Sequence, residues 1–235
     1  MKNKIIGWFS IGSTYTYLTA LRLQDLMTKR GFEMEIKPIS IRHIMKSMNN
    51  IPFPPEKKEK VNYMWRDIER RAELYKIPVP NVPAPYPLQE FDRANLVGIV
   101  INKKGLYLDY FKYTYEEWFL NGNEAGSDKN LDLTLKKLNF AVKKTIDEAE
   151  LMKSQYIENT ERALEFGIFG VLWLPGVVPG YGLTGLLGCG PFLQQSLLNR
   201  GFFWKGLSYS DTDSWLTVSY THLRAHETKA NLVCR

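Results

Sequence analysis

The chain is poor in the residues that cross-link small proteins or bind metals. Its 235 residues include only two cysteines, Cys189 and Cys234, which lie far apart and form no C-x-x-C pair. A disulfide framework or a thiolate zinc site needs clustered cysteines, so neither is predicted. We therefore predict no metal site and a reducing, cytoplasmic location.

Apolar runs with the character of a signal peptide or a membrane helix are also lacking. The run after Lys4 is interrupted by Ser10 and Gly12, before it reaches the roughly 7–15 residues of a signal sequence. Residues 166–199 carry no charge, which would suit a transmembrane helix, but they contain eight glycines and three prolines. These helix breakers favour a buried or irregular segment or a shifted reading frame, and we predict no membrane partner.

The last segment, residues 218–235, resembles the translation of a transposase-type sequencing adapter. We interpret it as an artefactual tail and leave it out of the fold prediction. Without Arg224, Glu227, Lys229 and Arg235, the formal charge falls from +6 to about +4. So small an excess gives no support for a nucleic-acid partner.

Hydrophobic periodicity predicts an α/β start followed by a helical block. Residues 4–11 have the pattern of a buried strand, 15–30 of a helix and 32–38 of a second strand. Since strands joined through a helix pair in parallel, these form a βαβ unit. A charged amphipathic helix is then predicted over 55–76, and the five prolines of 77–87 predict an extended connector. Further helical segments are predicted over 91–102, 108–120, 130–144 and 145–167.

The stretch SIGSTYTYL (10–18) joins the first strand to the first helix and is rich in hydroxyl groups. A helix N-terminus offers unpaired backbone N–H groups and the positive end of a dipole, so it stabilises an anion such as a thiolate. The Ser13 hydroxyl could donate a further hydrogen bond to that anion. The alternative, which spacing alone favours, is that Ser13 or Thr14 caps the helix.

Five segments of the chain, taken in order, have the residue patterns of one known family. The first is WFSIGSTYTYL (8–18). The others are KPISIRHIMKSMNNIP (37–52), KVNYMWRDIERRAELYKIPVP (60–80), YPLQEFDRAN (86–95) and NTERALEFGIFGV (159–171). Together they resemble 2-hydroxychromene-2-carboxylate isomerases and the related kappa-class glutathione transferases, in which the first segment reads YFSxxSxYSYL. The resemblance covers residues 4–171.

This resemblance implies an α/β thioredoxin fold in which a helical domain is inserted. The N-terminal thioredoxin-like βαβ part would comprise residues 1–52 and the inserted helical domain residues 53–165. The family's C-terminal ββα part is not recognisable in 166–217, so we predict an altered or frameshifted, incomplete remainder there, followed by the tail at 218–235.

The resemblance also implies a glutathione site at the junction of the two parts. Ser13 matches the serine that hydrogen-bonds the glutathione sulfur, and Asn50 matches a glutathione-contacting loop residue. Val171 matches the residue whose backbone pairs with the tripeptide. Tyr15 and Lys60 match positions around the cleft. Further matches there are Tyr63, Arg66 and Asp67. The alternative for these cleft positions is a charged helix that packs through pairs at i,i+3 and i,i+4.

The chain departs from its relatives at three places. Thr14 stands where the family usually has proline, a change that a helix start tolerates. Ser13 and Thr16 stand where related disulfide oxidoreductases carry C-x-x-C, so dithiol exchange is excluded for want of sulfur. Leu172 stands where the family has a cis-proline. A cis bond before a non-proline residue costs about 2.5–4 kcal/mol, which disfavours the turn that would present Val171.

The prediction is a glutathione-dependent cis–trans isomerase of the 2-hydroxychromene-2-carboxylate type, acting on an aromatic-catabolism intermediate. Its cofactor would be glutathione, its partner a small aromatic substrate, and its candidate assembly a homodimer. The alternatives are a kappa-like glutathione transferase or reductase, and a family member impaired by loss of the cis-proline and of the C-terminal half of the site.

Overall fold

A two-stranded parallel sheet begins the computed structural model, which describes residues 4–49 and 56–168. Strand β1 (Lys4–Phe9) pairs with β2 (Glu33–Pro38), in register from Lys4 opposite Glu33 to Phe9 opposite Pro38. Helices α1 (Thr16–Ala20) and α2 (Leu23–Arg30) connect the two strands. The predicted α/β class and βαβ start are therefore confirmed.

The continuous helix predicted over 15–30 is wrong, because α1 ends at Ala20, α2 begins at Leu23, and Arg22 between them has a non-helical φ of −121°. Leu18 and Leu23 are both buried in the core. In an unbroken helix, five residues advance the direction of a side chain by about 140°, so these two leucines could not face the same core. The break also lets the Arg22 guanidinium lie 3.4 Å from the centre of the Tyr75 ring.

A short helix, α3 (Ile41–Ser47), follows β2 in a segment for which no helix is predicted from the sequence. The Ser40 hydroxyl caps it by accepting a hydrogen bond from the His43 N–H, at 3.3 Å. Ile41 and Ile44 are buried one turn apart. A capping serine followed by this apolar spacing is an ordinary helix signal.

The helical insertion is confirmed, and it contains six helices among the described residues. These are α4 (Lys58–Tyr75), α5 (Arg93–Asn102), α6 (Tyr107–Phe119), α7 (Asp128–Lys137), α8 (Val142–Glu150) and α9 (Lys153–Glu165). The connector predicted over 77–87 contains no helix or strand, and its Val82–Pro83 and Tyr86–Pro87 bonds are cis.

The continuous helices predicted over 130–144 and 145–167 are wrong in their boundaries. The chain turns at Asn139, whose φ is +60°, and the Phe140 N–H returns to the Leu135 carbonyl at 2.9 Å. This bond closes the end of α7 before α8 begins. A second break, at Leu151 and Met152, separates α8 from α9.

One aromatic-rich core joins the βαβ unit to the insertion. The Phe9 ring of β1 meets the Phe111 ring of α6 edge-on, with 5.3 Å between centres. Tyr17 of α1 stacks on Phe119 of α6 at 4.6 Å. Because strands alternate their side chains, Trp8 points the other way and packs with α3 and α9. The end of β1 is therefore enclosed by helices of the insertion.

Two predictions on the C-terminal part fall outside the described residues. The incomplete ββα part (166–217) is described only as far as Ile168, and the tail at 218–235 is not described. Within the described ranges, none of the helices is both long and apolar enough to cross a membrane.

Candidate functional site

The Ser13 turn (residues 10–15) leads from β1 into α1, and it exposes one of its hydroxyl groups more than the others. The Ser10 hydroxyl is buried and accepts a bond from the Ile41 N–H at 3.3 Å. The Thr14 hydroxyl is buried and donates to the Met64 sulfur at 3.0 Å. Ser13 is half-buried, and its hydroxyl has no hydrogen-bond partner among the described residues. Ser13 is therefore the hydroxyl in this turn that a ligand can reach.

Neither Ser13 nor Thr14 caps α1, so the capping interpretation is wrong. The residue before the helix is Tyr15, and it makes no side-chain capping bond. The expectation of a long helix with free N-terminal N–H groups also needs correction, because α1 has only five residues. Its first N–H groups are already occupied: those of residues 16–18 bond to the carbonyls of residues 13–15 at 3.2 Å.

Asn95 of α5 fixes the backbone at the start of the Ser13 turn. Its side chain is fully buried. The amide oxygen accepts from the Ile11 N–H at 2.7 Å, and the amide nitrogen donates to the Ile11 carbonyl at 2.9 Å. The N–H and the carbonyl of Ile11 are thus both hydrogen-bonded to one side chain. The chain therefore does not continue as a strand at Ile11.

Helix α4 holds the other end of the turn through Tyr15. The Tyr15 hydroxyl donates to Asp67 Oδ2 at 2.9 Å, and the same oxygen accepts from Arg71 Nε at 2.8 Å. Burial, followed by the nearby Asp67 carboxylate, raises the pKa of Tyr15. Tyr15 therefore stays protonated at neutral pH, and its proton is directed at Asp67. Asp67 and Arg71 thus form an i,i+4 pair of the kind that the packing alternative for Asp67 predicts.

The remaining α4 positions are more exposed. Tyr63 is 43% exposed, and Arg66 pairs with Glu69 at 3.0 Å, as the i,i+3 alternative predicts. Lys60 is partly buried, and burial followed by the neighbouring Lys57 lowers its pKa. It lies one turn before Met64, on the face of α4 that contacts the Ser13 turn.

Asn50 and Val171, the other two predicted glutathione contacts, lie outside the described residues. The structure therefore brings Ser13 and Tyr15 together and places Lys60 on the adjoining helix face. Sequence analysis missed Asn95, although a single amide in the apolar run ANLVGIVI is a detectable signal of a buried polar role. It also missed Tyr115, which nothing in α6 distinguishes from its neighbouring tyrosines.

The ion pair beneath Tyr15 is expected to stabilise the fold. Replacing Asp67 by asparagine should lower the free energy of unfolding by about 2–3 kcal/mol, because Arg71 keeps a charge with no carboxylate opposite. The Asp67 side chain is 14% exposed and the Arg71 side chain 13%. Glu69→Gln is the matched control on the same helix. Its Arg66 partner is 55% exposed, so we expect a loss below about 0.5 kcal/mol. Equal losses in urea unfolding would contradict the role given to Asp67.

The chain belongs to the DSBA-like thioredoxin domain family, which its sequence matches over residues 4–178. It is also similar to the 2-hydroxychromene-2-carboxylate isomerase of Sphingobium xenophagum, at 29% identity over 99 residues. That match takes in 41% of this chain and 49% of the relative, so the chain spans about half the length of the relative. The resemblance predicted from the sequence motifs is confirmed.

Solved structures show the same fold. A 2-hydroxychromene-2-carboxylate isomerase superposes with a TM-score of 0.67 at 21% identity, over 84% of this chain and 95% of the other. A putative protein disulfide isomerase from Nitrosomonas europaea superposes with a TM-score of 0.56 at 15% identity, over 86% of this chain and all of the other. At these identities the likeness establishes the thioredoxin-like fold alone.

Proposed function

We propose that the chain is a glutathione-dependent cis–trans isomerase that acts on an aromatic-catabolism intermediate of the 2-hydroxychromene-2-carboxylate type. The observation that carries the proposal is the Ser13 hydroxyl, which is half-buried and has no partner among the described residues, in a turn whose other hydroxyls are buried. The similarity to an isomerase of this name supports the choice of substrate class.

The residues of the Ser13 turn fit a sulfur anion. The Ser13 hydroxyl can donate one hydrogen bond, and a thiolate accepts such bonds and is stabilised by them. Bound glutathione would supply a thiolate that adds reversibly to a conjugated double bond, so that the bond can rotate before the thiolate leaves again. The chain's own part is to hold that sulfur ionised and in place.

Ser13 and the side chains around it have different roles in this reaction. Ser13 donates to the sulfur, and Asn95 holds the backbone of Ile11 at the start of the same turn. Lys60, on the adjoining face of α4, supplies a positive charge for a carboxylate of glutathione or of the substrate. Tyr15 takes no part as a base, because its raised pKa keeps it protonated. No change in oxidation state is required, in keeping with the absence of sulfur at positions 13 and 16.

The full chain should isomerise 2-hydroxychromene-2-carboxylate in the presence of glutathione. The expected result is turnover with glutathione and at least about 100-fold less with S-methylglutathione, because the methylated sulfur cannot act as a nucleophile. The reaction is followed by the change in ultraviolet absorbance of the substrate. Turnover that is the same with both peptides would overturn glutathione dependence.

The same assay separates the alternatives. Conjugation of a generic electrophile without isomerisation would favour a kappa-like transferase. No measurable binding of glutathione in a calorimetric titration would favour an impaired family member.

A further inference from the structure

Tyr115 of α6 makes hydrogen bonds through its hydroxyl to the Gly12 N–H and to the Ser13 carbonyl. We infer that Tyr115 is a positioning residue, whose hydroxyl sets the backbone orientation of Ser13 and thereby aims the Ser13 hydroxyl at the ligand sulfur. This inference rests on the proposed function, since it names a second residue on which the same thiol site depends.

The Tyr115 hydroxyl acts as donor and acceptor at once. It donates to the Ser13 carbonyl at 2.8 Å, and the Gly12 N–H donates to it at 3.4 Å. The Ser13 carbonyl also accepts from the Thr16 N–H at 3.2 Å. Two donors therefore fix the peptide plane that follows Ser13. The plane that precedes Gly12 is held from both sides, since its N–H donates to Tyr115 and its Ile11 carbonyl accepts from Asn95.

The position of Tyr115 is itself well determined. Its side chain is fully buried, and its ring packs against Phe111 and Trp118, with centres 5.3 and 5.4 Å away. The hydroxyl cannot follow the turn if the turn moves, because the ring is held by the core. An error of about 1 Å in the placement of a reacting group can cost orders of magnitude in rate.

Removal of the hydroxyl should leave the chain folded. Asn95 holds Ile11 independently, and Thr14 and Tyr15 are anchored to α4. A Tyr115→Phe variant keeps the ring and loses the two hydrogen bonds to the turn. The effect is therefore expected to be local to Gly12 and Ser13.

Tyr110→Phe provides a matched control. Tyr110 lies on the same helix, is equally buried, and donates its hydroxyl proton to a backbone carbonyl at the same 2.8 Å, that of Ala94 in α5. Both variants lose one buried tyrosine hydroxyl, so their thermal stabilities should fall to a similar extent. The Tyr110 hydroxyl makes no bond to the Ser13 turn.

The experiment compares the two variants in the full chain by amide hydrogen exchange and by the pH profile of kcat/KM for the chromene carboxylate. The profile is measured at saturating glutathione, so that it reports the ionisation of the enzyme–glutathione complex. In Tyr115→Phe, the Gly12 amide should exchange about 10-fold faster than in the wild type. Glutathione-dependent kcat/KM should fall about 3–10-fold. A less well stabilised thiolate has a higher pKa, so the acidic limb of the profile should move to higher pH by about 0.5–1 unit. Tyr110→Phe should change neither the exchange rate of the Gly12 amide nor the pH of the acidic limb.

The outcomes separate this inference from the proposed function. Equal Gly12 exchange and equal pH profiles in both variants would overturn the role of Tyr115. Faster exchange with an unmoved acidic limb would also overturn it, because Tyr115 would then stabilise the turn without affecting the thiol. A wild-type chain with no glutathione-dependent turnover would instead overturn the proposed function, and with it the catalytic part of this inference, while the exchange rates still show whether Tyr115 holds the turn.

Discussion

Replacing Ser13 by alanine should lower kcat/KM for the glutathione-dependent isomerisation by about 10–100-fold. A hydrogen bond to a charged acceptor contributes about 1.5–3 kcal/mol, and each 1.4 kcal/mol corresponds to a factor of ten. The Ser13 hydroxyl makes no bond to the described residues, so the thermal unfolding midpoint should not fall. Steady-state kinetics and thermal unfolding of the same preparation measure both quantities.

Ser154→Ala is the control for this substitution. Ser154 is exposed on α9, and it undergoes the same chemical change at a position away from the Ser13 turn. We expect wild-type kinetics for it. Near wild-type turnover in Ser13→Ala would contradict the role proposed for Ser13, whereas a large fall in its unfolding midpoint would show that the hydroxyl has a structural partner.

Replacing Gly12 by alanine should cause the largest loss of stability, about 3–5 kcal/mol. The φ of Gly12 is +135°, a conformation that L-residues rarely adopt. An added Cβ would also lie 2.7 Å from two carbon atoms of the Phe91 ring. Phe91 is partly buried and packs against the core, so moving its ring costs packing contacts, and a shift of the turn would move Ser13 with it. Urea unfolding gives the loss in free energy.

Gly31→Ala controls for the backbone effect alone. The φ of Gly31 is +66°, and an added Cβ there would have no atom within 4 Å. We expect a loss of about 1–2 kcal/mol from the left-handed conformation. If Gly12→Ala lowers the free energy of unfolding no more than Gly31→Ala does, the contact with Phe91 does not restrict the residue at position 12.

Local sequence patterns account well for the βαβ start and for the position of the candidate site. The apolar run before Ser10 predicts a buried strand, and Gly12 supplies the positive φ at which the chain turns. The order of the family motifs leads to the hypothesis that Ser13 contacts the glutathione sulfur. Ser40 and the apolar residues after it also carried the signal for α3, so that helix could have been predicted.

The remaining features depend on contacts between distant residues. The break between α1 and α2 allows Arg22 to reach Tyr75, a partner that no local pattern identifies. Asn95 is 84 residues away from Ile11, and Tyr115 is 102 residues away from Ser13. Periodicity reports which side of a helix is buried, but it does not report which backbone group a buried hydroxyl or amide will meet. The positioning of Ser13 is for this reason a tertiary property.

The most direct test of the proposed thiol site is an ultraviolet titration of glutathione bound to the wild-type chain and to Ser13→Ala. The thiolate absorbs more strongly and at longer ultraviolet wavelength than the thiol, so the change in absorbance on titration gives the pKa of the bound sulfur. We predict that the wild-type chain lowers this pKa by about 1–2 units relative to free glutathione, and that Ser13→Ala loses most of the shift. The same pKa for free and bound glutathione, or an equal shift in both proteins, would contradict the assignment of Ser13 to the sulfur.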